Sequence, residues 1–380
     1  MGATRGGPRR AMLRCTPPST LDGPSPTLRR SGMQDITNHT SVELGIVPTH
    51  SGFVGALVPG EAGKLPRGAD GRFVVLAAVS ELAARSRVRL ESLQLSVFPG
   101  TDDGDLDELI VGLKDLGLRL YLVLMVGGVD PMEPADESAV VDQLLPSLEA
   151  AKRHGGAFVS STSIEAWMAE GAVRREGAAF EAAVAQCVKV HLRACREASL
   201  AGSQINEWHF EFLRPGEFQT FTDLGRVWTL IKAANEEMGA PFFKAIIDAA
   251  HCGDSPLDIP ENLDLITRIG AAGELGCFHA SARTTRGCLS TDDGWAGALL
   301  TAAARTGTLR NVFVEMFRHD DEALAALRAL DPGHGVDTRD GRDYTQLVAD
   351  GLTDTARRLN NLKARGILQP TSPSRSSPMI

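Results

Sequence analysis

Glu211, Asp248, His279 and Glu315 each close a short apolar run: INEWHFE, FFKAIID, LGCFH and NVFVE. A buried strand emerging into a loop ends in this way, on a side chain that can bind a divalent cation. A single acidic residue at a strand end is often a helix N-cap or a surface charge. Four such endings in succession point instead to one site. Three carboxylates and one imidazole make a hard, oxygen-rich donor set, which suits one Mn2+, Mg2+ or Co2+ ion, Mn2+ first among them, better than a thiolate-loving ion. Such an ion can hold two neighbouring oxygens of a substrate and polarise a carbonyl, which lowers the cost of removing the adjacent C–H proton. A carboxylate on each side of the substrate can then take and return protons through an enediolate.

The elements that must position these residues alternate short β-rich runs with longer helical stretches, the signature of βα units and a parallel sheet. Eight candidate strands cover 43–47, 91–97, 118–126, 156–161, 205–211, 243–248, 275–279 and 310–315. Helical patterns occupy 75–87, 105–116, 137–154, 176–200, 222–238, 260–270 and 293–306. Asp223 and Pro260 suit helix starts, and Gly239 a C-cap. Eight units predict a single (β/α)8 TIM barrel over 41–368, with active-site residues at the C-terminal ends of the strands, where all four candidate ligands lie. A doubly wound open sheet is the runner-up, but GIVPTHSG after the first strand is not the GxGxxG of a nucleotide site. Residues 1–32 hold six Arg and one acidic residue among many Pro, Gly and Ser, and read as a disordered extension before a start at Met33, with a transit peptide as the alternative. Residues 369–380 read as a tail.

From about 200 to 320 the chain resembles the xylose isomerase-like barrel superfamily, and within it most closely the ketose 3-epimerases that act on D-tagatose and D-psicose. The resemblance implies a metal set of Glu211, Asp248, His279 and Glu315, with Glu211 and Glu315 also serving as the acid/base pair. Asp248-Ala-Ala-His251 matches the family's Asp-x-x-His, whose His contacts a substrate oxygen, and Glu217 falls where another sugar-contacting Glu stands. Arg283 and Arg286 flank the place of the family's Arg after the metal His. His209 shares the inward strand face with Glu211 and is a candidate to line the pocket. The chain departs from the small epimerases in its length, in the helical excursion over 156–200, and in GHGVDTRDGRDY at 333–344.

The implied function is a metal-dependent isomerase or epimerase of a ketose or keto-sugar. A hydride-shift isomerase is a close variant that usually uses a second metal, for which Asp254 is the nearby carboxylate. A lyase or dehydratase of a keto-sugar or inositol is the alternative on the same site. An apurinic endonuclease would need more strand-end histidines and a basic face, and a non-catalytic sugar-binding barrel would not need the Glu pair. His50, in the loop after the first strand, stands at the right end of the barrel. His319 and His334 read as solvent-facing, the stripe of Trp208, Phe210 and Phe212 as packed against helices, and Cys252 as lacking a paired base.

Bulk properties bound the partners. The 380 residues carry a net charge of −9 and their 48 carboxylates form no block, so nucleic acid is disfavoured. The 32 Arg against 7 Lys reads as a GC-rich genome rather than a function. Six cysteines without CxxC pairs suit a reducing cytoplasm, and no stretch approaches the ~20 apolar residues of a membrane span. Barrels of this kind often form dimers or tetramers through helical faces, though no stripe here marks one.

Overall fold

The computed structural model describes residues 35–49, 56–282, 294–336, 338 and 341–369. The extension expected over 1–32 lies outside them, as do residues 370–380 of the expected tail, and so do His50, Arg283 and Arg286.

Eight parallel strands close into a barrel in sequence order: β1 (Glu43–Val47), β2 (Ser92–Val97), β3 (Arg119–Leu124), β4 (Phe158–Ser161), β5 (Glu207–Phe210), β6 (Phe243–Asp248), β7 (Leu275–Ala280) and β8 (Asn311–Glu315). Side chains alternate across each strand. One set, including Leu44, Leu93, Leu122, Trp208, Phe210, Ile247, Phe278 and Val312, is fully buried against the helices, as expected for the aromatic stripe of β5. The other set fills the lumen. At its centre Val47, Tyr121, Phe158, Ile246, Cys277 and Phe313 cluster, with Tyr121 stacked on Phe158 at 4.0 Å.

The helices are α1 (Val74–Arg85), α2 (Asp103–Asp115), α3 (Glu137–His154), α4 (Gly177–Glu197), α5 (Leu224–Met238), α6 (Ala249–Asp254), α7 (Ile259–Ala271), α8 (Trp295–Arg305), α9 (Ala325–Leu330) and α10 (Tyr344–Ala364). Asp223 caps α5 by accepting from Arg226 N, and Gly239 closes it at φ 73°. Pro260 stands in the first turn of α7, behind an Asp258/Glu261 capping box. Such caps are each worth about 0.5–2 kcal/mol. The short α6 and α9 and the long α10, which packs on α1 and β8, were not among the predicted helices. No helix among the described residues is long and apolar enough to cross a membrane.

One irregularity sets the site. Ala245 pairs with Leu275, but two residues later Ile247 pairs with Phe278, so β7 carries an extra residue against β6. A β-bulge of this kind re-aims every side chain beyond it. Here it aligns Asp248 with His279. In an unbroken ladder Asp248 would face Phe278, and the imidazole would point away from the lumen. Gly276 occupies the bulge, where a Cβ would stand 2.9 Å from the His209 ring and 3.0 Å from Ala245 O.

Candidate metal centre

Glu211, Asp248, His279 and Glu315 converge at the C-terminal end of the lumen, each offering one donor atom within 4.8 Å of the others. Glu211 stands one residue past β5, its backbone N–H held by Ser161 O at 3.0 Å. Asp248 and Glu315 are the last residues of β6 and β8. All four are buried, Asp248 and His279 to 2 % exposure or less. His279 Nδ1 lies 3.3 Å from Glu211 Oε1, 3.4 Å from Asp248 Oδ2 and 3.2 Å from Glu315 Oε2, and none of these contacts is aligned as a hydrogen bond.

The chemistry of this donor set fits a dication. Adjacent ligands about 2.0–2.4 Å from a common centre have edges of roughly this length. Without a cation, three carboxylates crowd together on the largely buried floor of the lumen. Burial raises the pKa of Glu211, and the neighbouring Glu315 and Asp248 raise it further, against the opposing pull of His279. Burial would lower the pKa of His279, but Glu211 and Glu315 drive it well above the usual imidazole value.

Asp248 and His279 are held from behind. Asp248 divides its carboxylate: Oδ1 accepts the His251 N–H at 2.7 Å and caps α6, while Oδ2 faces His279. His279 Nε2 meets Gln94 Oε1 at 2.7 Å, and Gln94 Nε2 donates to Ser160 Oγ at 3.0 Å. Gln94 and Ser160 are both fully buried. Neither was singled out in the sequence, although the polar alternation Ser92, Gln94, Ser96 on an otherwise apolar strand was a usable signal.

Above the cluster opens a cavity of about 350 Å3, within the range of small-molecule sites. Glu211, Glu315, His279, His251 and Glu217 line it. Arg214 N–H donates to His251 Nδ1 at 3.2 Å, so the imidazole in its neutral form carries its proton on Nε2, which lies 3.6 Å from Glu211 Oε1. Glu217 is fixed from two sides, by Trp167 Nε1 at 3.2 Å and Arg214 Nε at 3.0 Å. Glu165, another residue absent from the sequence reading, accepts the N–H groups of Gln219, Thr220 and Phe221 at 2.7–3.0 Å and so anchors the loop bearing Glu217. Burial raises the Glu165 pKa, with those N–H groups opposing. The far wall is apolar, with Phe98, Val123, Met125, Phe317, Leu324 and Leu327.

Three expectations are corrected. His209 points inward but sits one layer below the cavity, where it stacks on Phe158 at 4.2 Å, meets Glu207 Oε2 at 2.8 Å through Nε2 and accepts from Cys277 N. Two residues along a strand are about one barrel layer, and that layer is filled. Asp254 is drawn away from the ligands by Arg214, at 3.2 Å, and does not line the cavity. His334 is buried, not solvent-facing: the segment after β8 folds back, with Val336 N–H bonded to Phe317 O, and Arg214 Nη2 lies 3.4 Å from His334 Nδ1. Arg214, buried itself, also pairs with Asp331 at 3.0 Å and thus ties this segment to the loop after β5. His319 is half-buried beside it, Nδ1 against His334 O. Cys252 is fully buried and its pKa is raised well above normal by burial, in keeping with no nucleophilic role.

No family model and no curated protein matches this chain. Solved structures do. The D-allulose 3-epimerase of Methylomonas sp. superimposes with a TM-score of 0.63 at 15% identity, covering 85% of this chain and 100% of that one. The D-psicose 3-epimerase of Clostridium cellulolyticum H10, solved with D-tagatose, gives 0.60 at 13% identity over 84% of this chain and 99% of its own. A family 2 AP endonuclease of Brucella melitensis follows at 0.51 and 13%, over 72% and 92%. At these identities the likeness speaks for the fold: this chain has the closed (β/α)8 barrel of the ketose 3-epimerases, its structural neighbours.

Proposed function

We propose that the chain is a divalent-metal-dependent isomerase or epimerase of a ketose or keto-sugar. The observation that carries this reading is the buried cluster of Glu211, Asp248, His279 and Glu315 at the floor of a small-molecule cavity, with two of its carboxylates lining that cavity. Asp248 and His279, recessed and oriented by their own hydrogen bonds, are the holders of the ion. Glu211 and Glu315 are both holders and proton carriers. A cation bound there would polarise a substrate carbonyl and stabilise the negative charge left by proton loss.

The residues of the chain supply the rest. Glu211 and Glu315 come from β5 and β8, so a substrate lying over the cluster meets a carboxylate from each, one removing the proton beside the carbonyl and the other returning it. Return to the opposite face of the same carbon gives an epimer; return to the neighbouring carbon gives an isomer. His251, which lines the cavity and in its neutral form carries its proton on Nε2, donates to a substrate oxygen, and Glu217 accepts from a hydroxyl. Arg283 and Arg286 remain candidates for a further contact. The neighbours' names support the substrate class: they are epimerases of D-allulose and D-psicose, and one was solved with D-tagatose.

The test is incubation of the Mn2+-loaded protein with a panel of ketoses and 3-keto-sugars in D2O. Deuterium should enter at the carbon beside the carbonyl, and the product separates epimerase from isomerase. Elimination of a substituent would instead identify a lyase, and no exchange with any ketose or keto-sugar would refute the proposal.

A further inference from the structure

We infer that Gln94 on β2 is a positioning residue for the cation, because its amide selects the tautomer of His279 that can bind one. The inference rests on the metal reading above. An imidazole facing a cation must present a lone pair, and its other nitrogen must then carry the proton. His279 Nδ1 faces the three carboxylates at 3.2–3.4 Å. Its Nε2 lies 2.7 Å from Gln94 Oε1, which can only accept.

The amide is also held at its other end. Gln94 Nε2 donates to Ser160 Oγ at 3.0 Å and lies 3.6 Å from Cys277 Sγ. A flipped amide would turn its NH2 towards His279. Nε2 would then have to accept, and the proton would move to Nδ1, into the space between Glu211, Asp248 and Glu315. A proton there would stand in the place of the cation, which would have to expel it. Gln94, held by Ser160 on the strand two places round the barrel, biases the competition towards the ion.

The experiment measures Mn2+ affinity by competition with a chelating indicator, for the wild-type chain and for Gln94→Leu, Gln94→Glu and Ser160→Ala, with near-UV circular dichroism as the check on packing. Gln94→Leu should weaken Mn2+ binding about 10–100-fold, the range typical of losing an outer-shell partner. Gln94→Glu keeps the acceptor and should restore binding towards the wild-type value, while Gln94→Leu, of similar volume but with no acceptor, separates the hydrogen bond from packing. Ser160→Ala should weaken binding in the same direction but less, and decides the matter should Gln94→Leu fail to fold. Wild-type affinity in Gln94→Leu or, if that variant is unfolded, in Ser160→Ala overturns the inference. Equal losses in the Leu and Glu variants also overturn it. A wild-type chain that binds no Mn2+ would instead sink the metal reading, and this inference with it.

Discussion

Replacing Asp248 by asparagine should stabilise the barrel in the absence of cation and remove most of the stability that a cation adds. The side chain keeps its length, and its Oδ1 can still cap α6 at His251 N–H, 2.7 Å away. What changes is charge. Taking the 4.8 Å limit of the cluster as the distance from Asp248 to Glu211 and to Glu315, each repulsion is about 3.5 kcal/mol at an effective dielectric constant near 20. The attraction to a protonated His279 at 3.4 Å is about 5 kcal/mol on the same scale. Two repulsions lost against one attraction leave a net gain of about 2 kcal/mol for the cation-free variant, before the relief of no longer burying that charge is added. Urea denaturation in EDTA reads this gain directly. With Mn2+ the gap should narrow: the wild type gains about 2.7 kcal/mol at a hundred times its Kd, whereas the variant, one charged side chain short, gains little at the same concentration. If Asp248→Asn is less stable than wild type in EDTA, the four residues form a self-satisfied ionic network, and the argument for a cation centre fails.

Other outcomes follow from single contacts. Gly276→Ala should cost about 1–3 kcal/mol by crowding the bulge and also weaken Mn2+ binding, since relief requires moving β7; urea melts and metal titration check both. Arg214→Met should cost about 3–5 kcal/mol, because Glu217, Asp254 and Asp331 lose a shared buried cation; a thermal melt near wild type would refute that role. His191 is buried neutral, Nδ1 against Cys187 O and Nε2 against Ser163 Oγ, and burial pulls its pKa down to about 4. Its unfolded value is near 6.5, so between these values the unfolded chain binds the extra proton. Stability is therefore intact above pH 6.5 and falls by roughly 3 kcal/mol as the pH drops towards 4; urea midpoints across that window should lose this slope in His191→Gln. Glu315→Gln should abolish exchange of the substrate C–H with solvent while the fold, followed by circular dichroism, persists; exchange at the wild-type rate would remove Glu315 from the acid/base pair.

By itself the sequence determined the barrel and the four residues that cluster in it, because both are written in local pattern. Strand and helix periods alternate eight times, and each of the last four strands carries, at or beside its C-terminal end, a side chain whose chemistry is legible without its neighbours. Asp223, Pro260 and Gly239 marked helix ends for the same reason: a cap or a first-turn proline acts within a few residues of itself. The helix α10 was missed where its polar, low-contrast surface hid the buried face of Leu352, Ala356 and Leu359. Only the tertiary structure decided the relations between distant residues. The bulge at Gly276, not the strand period, aims His279 at Asp248. Gln94 lies 185 residues before the imidazole it orients, and Arg214 reaches 117 residues on to Asp331. The same folding back buried His334, which looked exposed in a polar loop, and the filled layer beneath the cavity took His209 out of the site. Periodicity reports which face a side chain takes, but its depth in the lumen and its partner across the barrel depend on register and closure, which no local run of residues encodes.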